Sequence, residues 1–413
     1  MKLLVINCGS SSVKYALYAM DAETVLASGL ADRVGVDGDA DAELKHVRAD
    51  GAQALIAAPM PDHTSAIALI LQALLDPEHG VLGAVTDIDA VGHRVVHGGT
   101  RYAGSVLITD EVTAVIEACF DLGPLHNPPN LAGIRACARV LPGTPQVAVF
   151  DTAFAQTLPP HAYHYAIPYE LYERHAIRRY GFHGTSHRYV SGVASGLLAR
   201  RGTPPEDQRI VTCHLGNGCS MAAVRGGRCL DTSMGLTPLE GLVMGTRSGD
   251  VDPALVWFIM ERECLSTDQV DALLNKQSGV LGLSGVGSDL RDVLAAEAAG
   301  HERAKLALDV YCYRVRKYIG AYAAALGGLE AVVMTAGVGE NSPVIRRRCV
   351  RGLEFLGLRL DEAANKAVVG PAEPQDIAQP DSAVRLYVIP TDEELTIARD
   401  TEEIVAGLRP GIL

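Results

Sequence analysis

Apolar and polar positions follow the same order in two separate parts of this chain. Residues 2–18 read KLLVINCGSSSVKYALY, and residues 209–224 read RIVTCHLGNGCSMAAV. In each part a short apolar run enters a turn of small residues and leaves it as a second apolar run, a pattern that predicts a β-hairpin. Two such hairpins, about two hundred residues apart, predict two similar domains.

Helical and strand-like segments alternate between and after these hairpins. Helical spacing of apolar residues covers 63–75, 110–120, 130–140, 186–199 and 302–326, whereas 90–97, 146–150, 331–335 and 384–389 are typical of strands. We therefore expect a duplicated α/β fold, in which each domain is a mixed sheet flanked by helices, with a cleft between the two. The expected boundaries are 1–153, with a C-terminal helix 393–413 packed back on this domain, and 154–392.

Both hairpin turns are rich in small residues. The first glycine turn is Gly9–Ser12, and the second is Gly216–Gly218. Glycine tolerates positive φ angles that let successive backbone amides point at one anion, so we predict that each turn cradles a phosphate. Asn7 enters the first turn and Lys14 follows it. An ordinary hairpin with a solvated lysine is the alternative, and the repetition of the pattern weakens it.

A third glycine segment, Gly337–Asn341, follows a strand and precedes a helix expected to be capped by Ser342. Phosphate or ribose commonly binds in this position, at a helix N-terminus. A Rossmann fingerprint would need a third glycine where Ser342 stands. The sequence contains no G-x-x-x-x-G-K-[ST] motif, which excludes a P-loop.

Charged residues stand at the ends of several predicted strands. Arg94 and Arg247 lie among glycines, where an arginine either clamps a carboxylate or phosphate or bonds loop carbonyls. Asp151 ends a buried strand, at the usual ligand edge of an α/β sheet, unless it caps the next turn. Glu393 and Glu394 begin the last helix, where they complement its dipole or hold Mg²⁺.

Histidines cluster in PLHNPPN at 124–130 and in YGFHGTSH at 180–187. A zinc site is not expected, because the cysteine or glutamate partners of known zinc patterns are missing. His183 lies between an aromatic residue and a glycine, from where it could donate to a transferring phosphate. We expect His187 to be a structural residue at a helix start.

Composition narrows the class of protein further. The 413 residues are 48% apolar and carry a net charge of −13, which argues against a nucleic-acid partner. No apolar run approaches the roughly 18 residues that a membrane span needs, and no charged-then-apolar leader pattern opens the sequence. The nine cysteines are odd in number and contain no C-x-x-C pair, so we expect no disulfide framework and a cytoplasmic location.

These motifs together closely resemble the acetate kinase family, within the acetate and sugar kinase/Hsp70/actin group. The segments NCGSSSVK, GHRVVHGG, PLHNPPN, FDTAF, YGFHGTSH, HLGNG, MGTRSGDVDP, AGVGEN and PTDEELTIARDT occur in family order and spacing along essentially the whole chain. The resemblance implies two actin-like (ribonuclease H-like) domains and the reaction ATP + acetate ⇌ ADP + acetyl phosphate. It also implies direct in-line transfer with Mg²⁺, or Mn²⁺ as an alternative, and a homodimer.

Two other functions remain open. Propionate kinase shares almost all of these motifs, and the expected pocket residues do not decide between the two acids. A nucleotide-switched binding protein is the remote alternative, since this fold permits it. Arg94, Arg247, Asp151 and His183 argue against a pure switch, which would not need them.

The resemblance also implies roles for single residues. It assigns Asn7 and Glu393 to the metal, Lys14 to the nucleotide phosphates, Arg94 and Asp151 to the carboxylate, and His183 and Arg247 to the transferring phosphoryl group. The nucleotide site would be lined by His214, Leu215, Gly216, Asn217, Gly218, Asp289, Leu290, Arg291, Gly337, Val338, Gly339, Glu340 and Asn341. The pocket for the methyl group would be formed by Val96, Leu125, Phe182 and Pro238.

Acetate is already ionised at pH 7, so it needs no strong general base. Positioning and charge neutralisation should therefore dominate the chemistry. For this reason we expect Asp151 to orient the acceptor rather than to remove a proton from it.

Overall fold

The structure is a computed structural model that describes residues 1–36 and 42–407. The strands are β1 (Lys2–Cys8), β2 (Ser12–Ala19), β3 (Thr24–Asp32), β4 (Glu43–Arg48), β5 (Gln53–Ala57), β6 (Ala90–Val95), β7 (Val106–Leu107), β8 (Gln146–Phe150), β9 (Arg209–Leu215), β10 (Cys219–Arg225), β11 (Arg228–Thr232), β12 (Ala331–Thr335), β13 (Gln375–Asp376) and β14 (Arg385–Val388). The helices are α1 (His63–Leu75), α2 (Asp110–Ala118), α3 (Asn127–Val140), α4 (Pro160–Tyr163), α5 (Tyr169–His175), α6 (Gly184–Arg200), α7 (Ala254–Glu263), α8 (Thr267–Lys276), α9 (Gly279–Ser284), α10 (Leu290–Ala298), α11 (Glu302–Leu326), α12 (Ala336–Asn341), α13 (Pro343–Val350), α14 (Glu362–Ala367) and α15 (Glu393–Val405).

The chain separates into two compact units. The first unit contains residues 1–153 and the segment from Asp392 onward, and the second unit is Phe154–Thr391. Helix α15 belongs to the first unit, where it contacts β1, β6 and β8. The last six residues of the helix predicted over 393–413 lie outside the described residues. Among the described helices, none is both long enough and apolar enough to cross a membrane.

The first unit is built on a sheet with strand order β5-β4-β3-β2-β1-β6-β8-β7. The strands β1 to β5 pair antiparallel, whereas β6 runs parallel to β1 and β8 runs parallel to β6. Helices α1 and α3 pack on each other and their apolar faces join the sheet in one core, which includes Leu4, Ile67 and Leu74. Because all three side chains are fully buried, this core fixes the strand edge on which the site residues stand.

The second unit has a six-stranded sheet with the order β11-β10-β9-β12-β14-β13. Strands β9, β10 and β11 pair antiparallel, and β12 and β14 run parallel to β9. The order β11-β10-β9-β12-β14 therefore repeats the order β3-β2-β1-β6-β8 of the first unit, directions included. Helices α6 and α11 contact the β9–β10 hairpin. This repetition confirms the predicted duplicated α/β fold with two mixed sheets.

Four of the nine helices and strands predicted by range have the predicted bounds, and the other five differ by one to three residues at one or both ends. Helix α3 begins at Asn127 rather than 130, because Pro128 and Pro129 occupy its first turn, where no intrahelical N–H bond is lost. The segment Gly337–Asn341 does not merely precede a helix but forms most of α12. Ser342 then caps α13 as predicted, accepting from the backbone N–H of Ile345 at 3.4 Å.

Candidate active site

Three predicted residues of the first unit meet at the carboxyl end of its parallel strands. Arg94 stands on β6 and Asp151 follows the neighbouring strand β8, so the register places them side by side. Arg94 Nη2 donates to Asp151 Oδ2 at 3.0 Å. Arg94 Nε lies 3.6 Å from Glu393 Oε2 at the start of α15. The guanidinium is thus held between two carboxylates, and the Asp151 side chain is only 1% exposed.

The electrostatics of this cluster follow from its burial. Burial raises the pKa of Glu393 to about 7, opposed by the charge of Arg94 and assisted by the charges of Asp151 and Glu394. Burial also disfavours the charge of Arg94, but Asp151 and Glu393 outweigh it, and the pKa of Arg94 is raised. One guanidinium therefore neutralises only part of the negative charge around it, which leaves the cluster suited to a further cation.

The first glycine turn joins β1 to β2 beside this cluster. Asn7 on β1 pairs in register with Lys14 on β2, and the backbone N–H of Gly9 donates to the Ser12 carbonyl at 2.8 Å. Lys14 Nζ forms an ion pair with Glu394. Helix α15 contacts both strands, which gathers Asn7, Lys14 and the two glutamates in one region of the unit.

The donor set of this region fits a magnesium ion. Asn7 offers an amide oxygen and Glu393 a carboxylate, and hard oxygen donors are the ligands that Mg²⁺ prefers. Among residues 1–36 and 42–407, no three histidine, cysteine, aspartate or glutamate side chains are grouped to hold a metal. Mg²⁺ does not require such a group, since it is commonly held by one or two carboxylates, waters and substrate phosphates.

The two predicted pocket residues of this unit differ in exposure. Val96 directly follows β6 and is buried, whereas Leu125 precedes α3 and is 63% exposed. The backbone of Val96 is fixed by a residue that the sequence did not single out, since its N–H donates to Asn130 Oδ1 at 3.0 Å. Asn130 Nδ2 in turn donates to the Cys8 carbonyl at 2.7 Å. Asn130 therefore ties the end of β6 to the start of the first glycine turn.

Asn127, one helical turn before Asn130, also fixes the backbone that follows β6. Its Oδ1 accepts from the N–H of His97 at 3.0 Å, and its Nδ2 donates to the carbonyls of His97 and Ile116. Both asparagines lie in the PLHNPPN motif, on the face of α3 that is buried. The spacing i, i+3 of two asparagines on an otherwise apolar helix face was the signal that could have identified them.

In the second unit, His183 and Arg247 meet at the second glycine turn. A Cβ atom placed on Gly218 would lie 3.5 Å from His183 Nε2 and 3.6 Å from Arg247 Nη1. The His183 ring stacks on the His214 ring with centroids 4.2 Å apart. His183 has φ +55°, an uncommon backbone conformation for a residue other than glycine and one that recurs at functional sites. A histidine and an arginine therefore converge beside a stretch of bare backbone.

The positive φ angles predicted for the glycines of the two turns were wrong. None of Gly9, Gly216 and Gly218 has a positive φ angle. Their importance is the absence of a side chain: a Cβ atom on Gly216 would lie 3.2 Å from the Gly218 carbonyl oxygen, and one on Gly9 would lie 3.1 Å from Ser12 Oγ. Both turns are thus places of close approach, where backbone rather than side chain faces the surroundings.

Arg247 carries a positive charge that the described part of the chain does not neutralise. Its Nη1 approaches the Pro238 carbonyl at 3.5 Å and Met244 Sδ at 3.8 Å, and no described carboxylate pairs with it. Burial lowers the pKa of Arg247 from its ordinary value. A half-buried guanidinium without a carboxylate partner is suited to bind an anion. Phe182, the other predicted pocket residue of this unit, is buried next to His183.

The predicted nucleotide residues surround the second glycine turn. His214 and Leu215 end β9, and helix α12, which contains Gly337, Val338, Gly339, Glu340 and Asn341, contacts that strand. The backbone N–H of Gly245 donates to the Asn217 carbonyl at 3.0 Å, and a Cβ atom on Gly245 would lie 3.2 Å from the Ser288 carbonyl oxygen. Ser288 adjoins the other predicted nucleotide segment, so the three segments are neighbours.

The segment Asp289, Leu290 and Arg291 also has a structural function of its own. Asp289 caps α10 by accepting from the N–H of Arg291 at 2.8 Å, and their side chains form an ion pair. The Arg291 side-chain bond lowers the pKa of Asp289 to about 2. Leu290 is buried beneath the cap.

The duplicated fold and a glycine turn beside an arginine that no described carboxylate pairs with indicate the class of the protein, a phosphotransferase. Comparison with known proteins gives the family. The model of the acetokinase family matches residues 2–399. The chain belongs to the acetokinase family, and its phosphoryl acceptor is therefore a carboxylate.

Relatives and solved structures agree with this membership. The chain is 56% identical over 405 residues to the acetate kinase of Desulfitobacterium hafniense (strain DSM 10664 / DCB-2), covering 98% of this chain and 99% of that protein. It matches the crystal structure of Porphyromonas gingivalis acetate kinase with a TM-score of 0.92 and 50% identity, covering 98% and 99% of the two chains. A propionate kinase from Francisella tularensis subsp. tularensis SCHU S4 matches with a TM-score of 0.88 and 40% identity, with the same coverage.

These findings confirm the resemblance, the fold class and the enzyme class expected from the motifs. They also confirm the acetate kinase prediction, and they do not favour the propionate kinase alternative.

Proposed function

We propose that this chain catalyses the reversible, Mg²⁺-dependent transfer of a phosphoryl group between ATP and acetate, giving ADP and acetyl phosphate. The observation that carries the proposal is the convergence of His183 Nε2 and Arg247 Nη1 beside Gly218. Phosphoryl transfer develops charge on equatorial oxygens, and a cationic fork with an adjacent ring N–H over bare backbone suits that charge. Membership of the acetokinase family supports the choice of acceptor.

Acceptor binding is assigned to the first unit. Arg94 would clamp the acetate carboxylate, while Asp151 fixes the guanidinium through its 3.0 Å bond. The acetate ion attacks without losing a proton, so Asp151 acts by orientation and not as a base. Val96 and Leu125 of this unit are proposed to contact the methyl group.

Metal and phosphate binding are assigned to Asn7, Glu393 and Lys14. Mg²⁺, or Mn²⁺ in its place, would neutralise phosphate charge when bound. Its presence next to Glu393 would favour the ionised carboxylate, against the burial that raises the pKa of this group. Lys14 would exchange its ion pair with Glu394 for the nucleotide phosphates.

Nucleotide binding is assigned to the second unit. We propose that 154–392 is a nucleotide-binding actin-like domain and that 1–153 with 393–413 is its N-terminal counterpart. The second glycine turn would offer backbone amides to the phosphates of ATP, and α12 and the Asp289–Arg291 segment would contact the nucleoside.

Propionate is the second candidate acceptor. A propionate kinase matches at 40% identity, below the 50% and 56% of the acetate kinases, so propionate is the minor alternative. One additional methylene group changes binding in an apolar pocket by only about 1–3 kcal/mol, so one pocket can accept both acids.

The assembly and location are also proposals. Helix α7 has the sequence ALVWFIMERE, yet none of its residues is buried. Trp257 is 67% and Phe258 57% exposed, and an exposed apolar face of this kind is typical of a subunit interface. We propose that α7 packs on a second copy of the chain in a homodimer, which Trp257→Glu should convert to monomer in light-scattering chromatography.

The nine free thiols support a reducing cytoplasmic location.

The test of the reaction is the trapping of acyl phosphate by hydroxylamine, with MgATP and matched subsaturating acetate, propionate or butyrate. Preference for acetate would support the proposal in full. Preference for propionate would retain the mechanism and change the acceptor. Absence of product with every acid, from protein that is folded by circular dichroism, would contradict the proposed reaction.

A further inference from the structure

Two stacked imidazole rings in the second unit have the same arrangement of partners. His183 Nδ1 contacts Ser220 Oγ at 2.8 Å, and His214 Nδ1 contacts Ser186 Oγ at 2.8 Å. The ring planes differ by only 17°. Each ring therefore has one nitrogen engaged with a buried serine hydroxyl.

The opposite nitrogens of both rings face the second glycine turn. His183 Nε2 lies 3.5 Å from the position that a Cβ atom would take on Gly218, and His214 Nε2 lies 3.8 Å from that position on Gly216. The protonation of these nitrogens decides whether the rings donate a hydrogen bond to an anion at the turn or repel it.

Behind Ser220 lies a third histidine. Ser220 Oγ contacts His187 Nε2 at 2.7 Å, and His187 Nδ1 contacts Thr212 Oγ1 at 2.7 Å. The His187 side chain is 1% exposed, and burial lowers its pKa well below the ordinary value. His187 is therefore neutral and carries a single N–H.

The contacts run in a row from Thr212 through His187 and Ser220 to His183. Counting hydrogens leaves two arrangements for this row. Each hydroxyl has one hydrogen, and each neutral ring has one N–H, so every contact in the row must point the same way. In one order the hydrogens point away from the turn, and His183 carries its proton on Nδ1. In the other they point toward the turn, and His183 carries its proton on Nε2.

The contacts of Thr212 favour the second order. In the first order His187 Nδ1–H donates across the 2.7 Å contact, and the Thr212 hydroxyl hydrogen has only the Ala222 carbonyl oxygen at 3.5 Å. A hydroxyl hydrogen bond is normally 2.5–3.0 Å long, so this hydrogen is better placed on the contact with His187. Thr212 then donates to His187, His187 donates to Ser220, and Ser220 donates to His183 Nδ1.

We infer that Thr212, His187 and Ser220 form a directed hydrogen-bond relay that holds neutral His183 with its proton on Nε2, aimed at the phosphoryl position. The three are positioning residues, since they act only through His183. His187 is then more than the structural helix-start residue expected from the sequence. The catalytic consequence rests on the proposed function, whereas the tautomer does not.

The direct test is nitrogen NMR of protein containing ring-¹⁵N histidine, with the His183 signals assigned by their loss in His183→Gln. We expect a protonated Nε2 and a bare Nδ1 at pH 7 in the wild-type chain. Ser220→Ala and Thr212→Val should each produce a mixture of tautomers. Thr212→Ser, which retains the hydroxyl, should restore the single form.

Ser191→Ala is the matched control, because Ser191 is another buried serine of the unit whose hydroxyl bonds only within α6, to the Arg188 carbonyl. Its His183 signals should be unchanged. A proton on Nδ1 in the wild-type chain, or an unchanged tautomer in Ser220→Ala, would overturn the relay.

Kinetics separate the relay from the proposed function. Hydrogen-bond partners that orient metal-bound histidines are worth about 10–100-fold in activity, and we expect a loss of the same order in kcat for Ser220→Ala, with KM for ATP unchanged. An unchanged kcat in Ser220→Ala would refute the catalytic part of the inference. A wild-type chain with the expected tautomer but no kinase activity would refute the proposed function and leave the relay intact.

Discussion

Arg94 and Asp151 are joined by a 3.0 Å hydrogen bond between adjacent parallel strands, although they are separated by 57 positions in the sequence. The pairing of β6 with β8 brings them together, and the burial of Asp151 makes the bond rigid. A guanidinium fixed along one edge presents its remaining N–H groups in a constant direction, which is a requirement for binding a carboxylate in one orientation.

Asp151→Asn tests whether this carboxylate orients or abstracts protons. The amide retains the size of the side chain but loses the charge that holds Arg94, so we expect kcat/KM for acetate to fall by about 10–100-fold. The pH dependence of kcat should keep its shape, because acetate needs no base. Loss of one limb of the pH profile in this variant would indicate a general base instead.

Arg247→Ala should remove most of the catalysis. An arginine that stabilises a transferring phosphoryl group is worth about 10³-fold or more in kcat, whereas nucleotide affinity should change little. Arg347→Ala, which removes an exposed arginine of α13 in the same unit, is the control and should retain full activity. Equal losses in both variants would remove Arg247 from the transfer step.

Asn130→Ala should lower stability and weaken acetate binding together. The substitution leaves the N–H of Val96 and the carbonyl of Cys8 buried without their hydrogen-bond partner. Each unsatisfied group should lower the free energy of unfolding by about 1–3 kcal/mol. Urea unfolding would measure the stability, and KM for acetate would report the displacement of Val96. Asn275→Ala, on the exposed side of α8, should change neither quantity.

Val96→Ala should raise kcat/KM for propionate relative to acetate. Val96 is buried directly after β6, and removal of its two methyl groups creates space for one additional methylene, a change of about 1–3 kcal/mol. Competition between the two acids in one reaction would give the ratio. A ratio equal to that of the wild-type chain would exclude Val96 from the pocket.

His93 should make stability depend on pH in the acidic range. It is 2% exposed next to the side-chain amide of Gln146, and burial lowers its pKa to about 4. Between pH 6.5 and 4 the unfolded chain binds a proton that the folded chain does not, so stability falls as the pH falls, by up to about 3 kcal/mol. His93→Gln should flatten this slope in urea unfolding at pH 7 and pH 5; an unaltered slope would contradict the assignment.

The sequence predicted the two glycine hairpins, four further strands, the five longest described helices and the ends of strands where charge accumulates. Apolar periodicity and strand termini are local signals, which is why these features could be predicted. Asn127 and Asn130 were not predicted, because their only local signal is a spacing of three residues on an otherwise apolar helix face. The relay was missed for a similar reason: Thr212 and Ser220 are ordinary strand residues until β9, β10 and α6 bring their hydroxyls to the two sides of His187. The positions of the glycine turns were predicted correctly, but the positive φ angles expected for their glycines were wrong.

The path of the chain through the two units has a consequence for synthesis. The second unit, Phe154–Thr391, is continuous, whereas the first unit is finished only by α15, which contacts β1 and β6. A ribosome therefore synthesises every residue of the second unit before it makes the last helix of the first. The unit that begins second can be the first to mature, while the hairpin that begins the chain waits for the final segment to cover it.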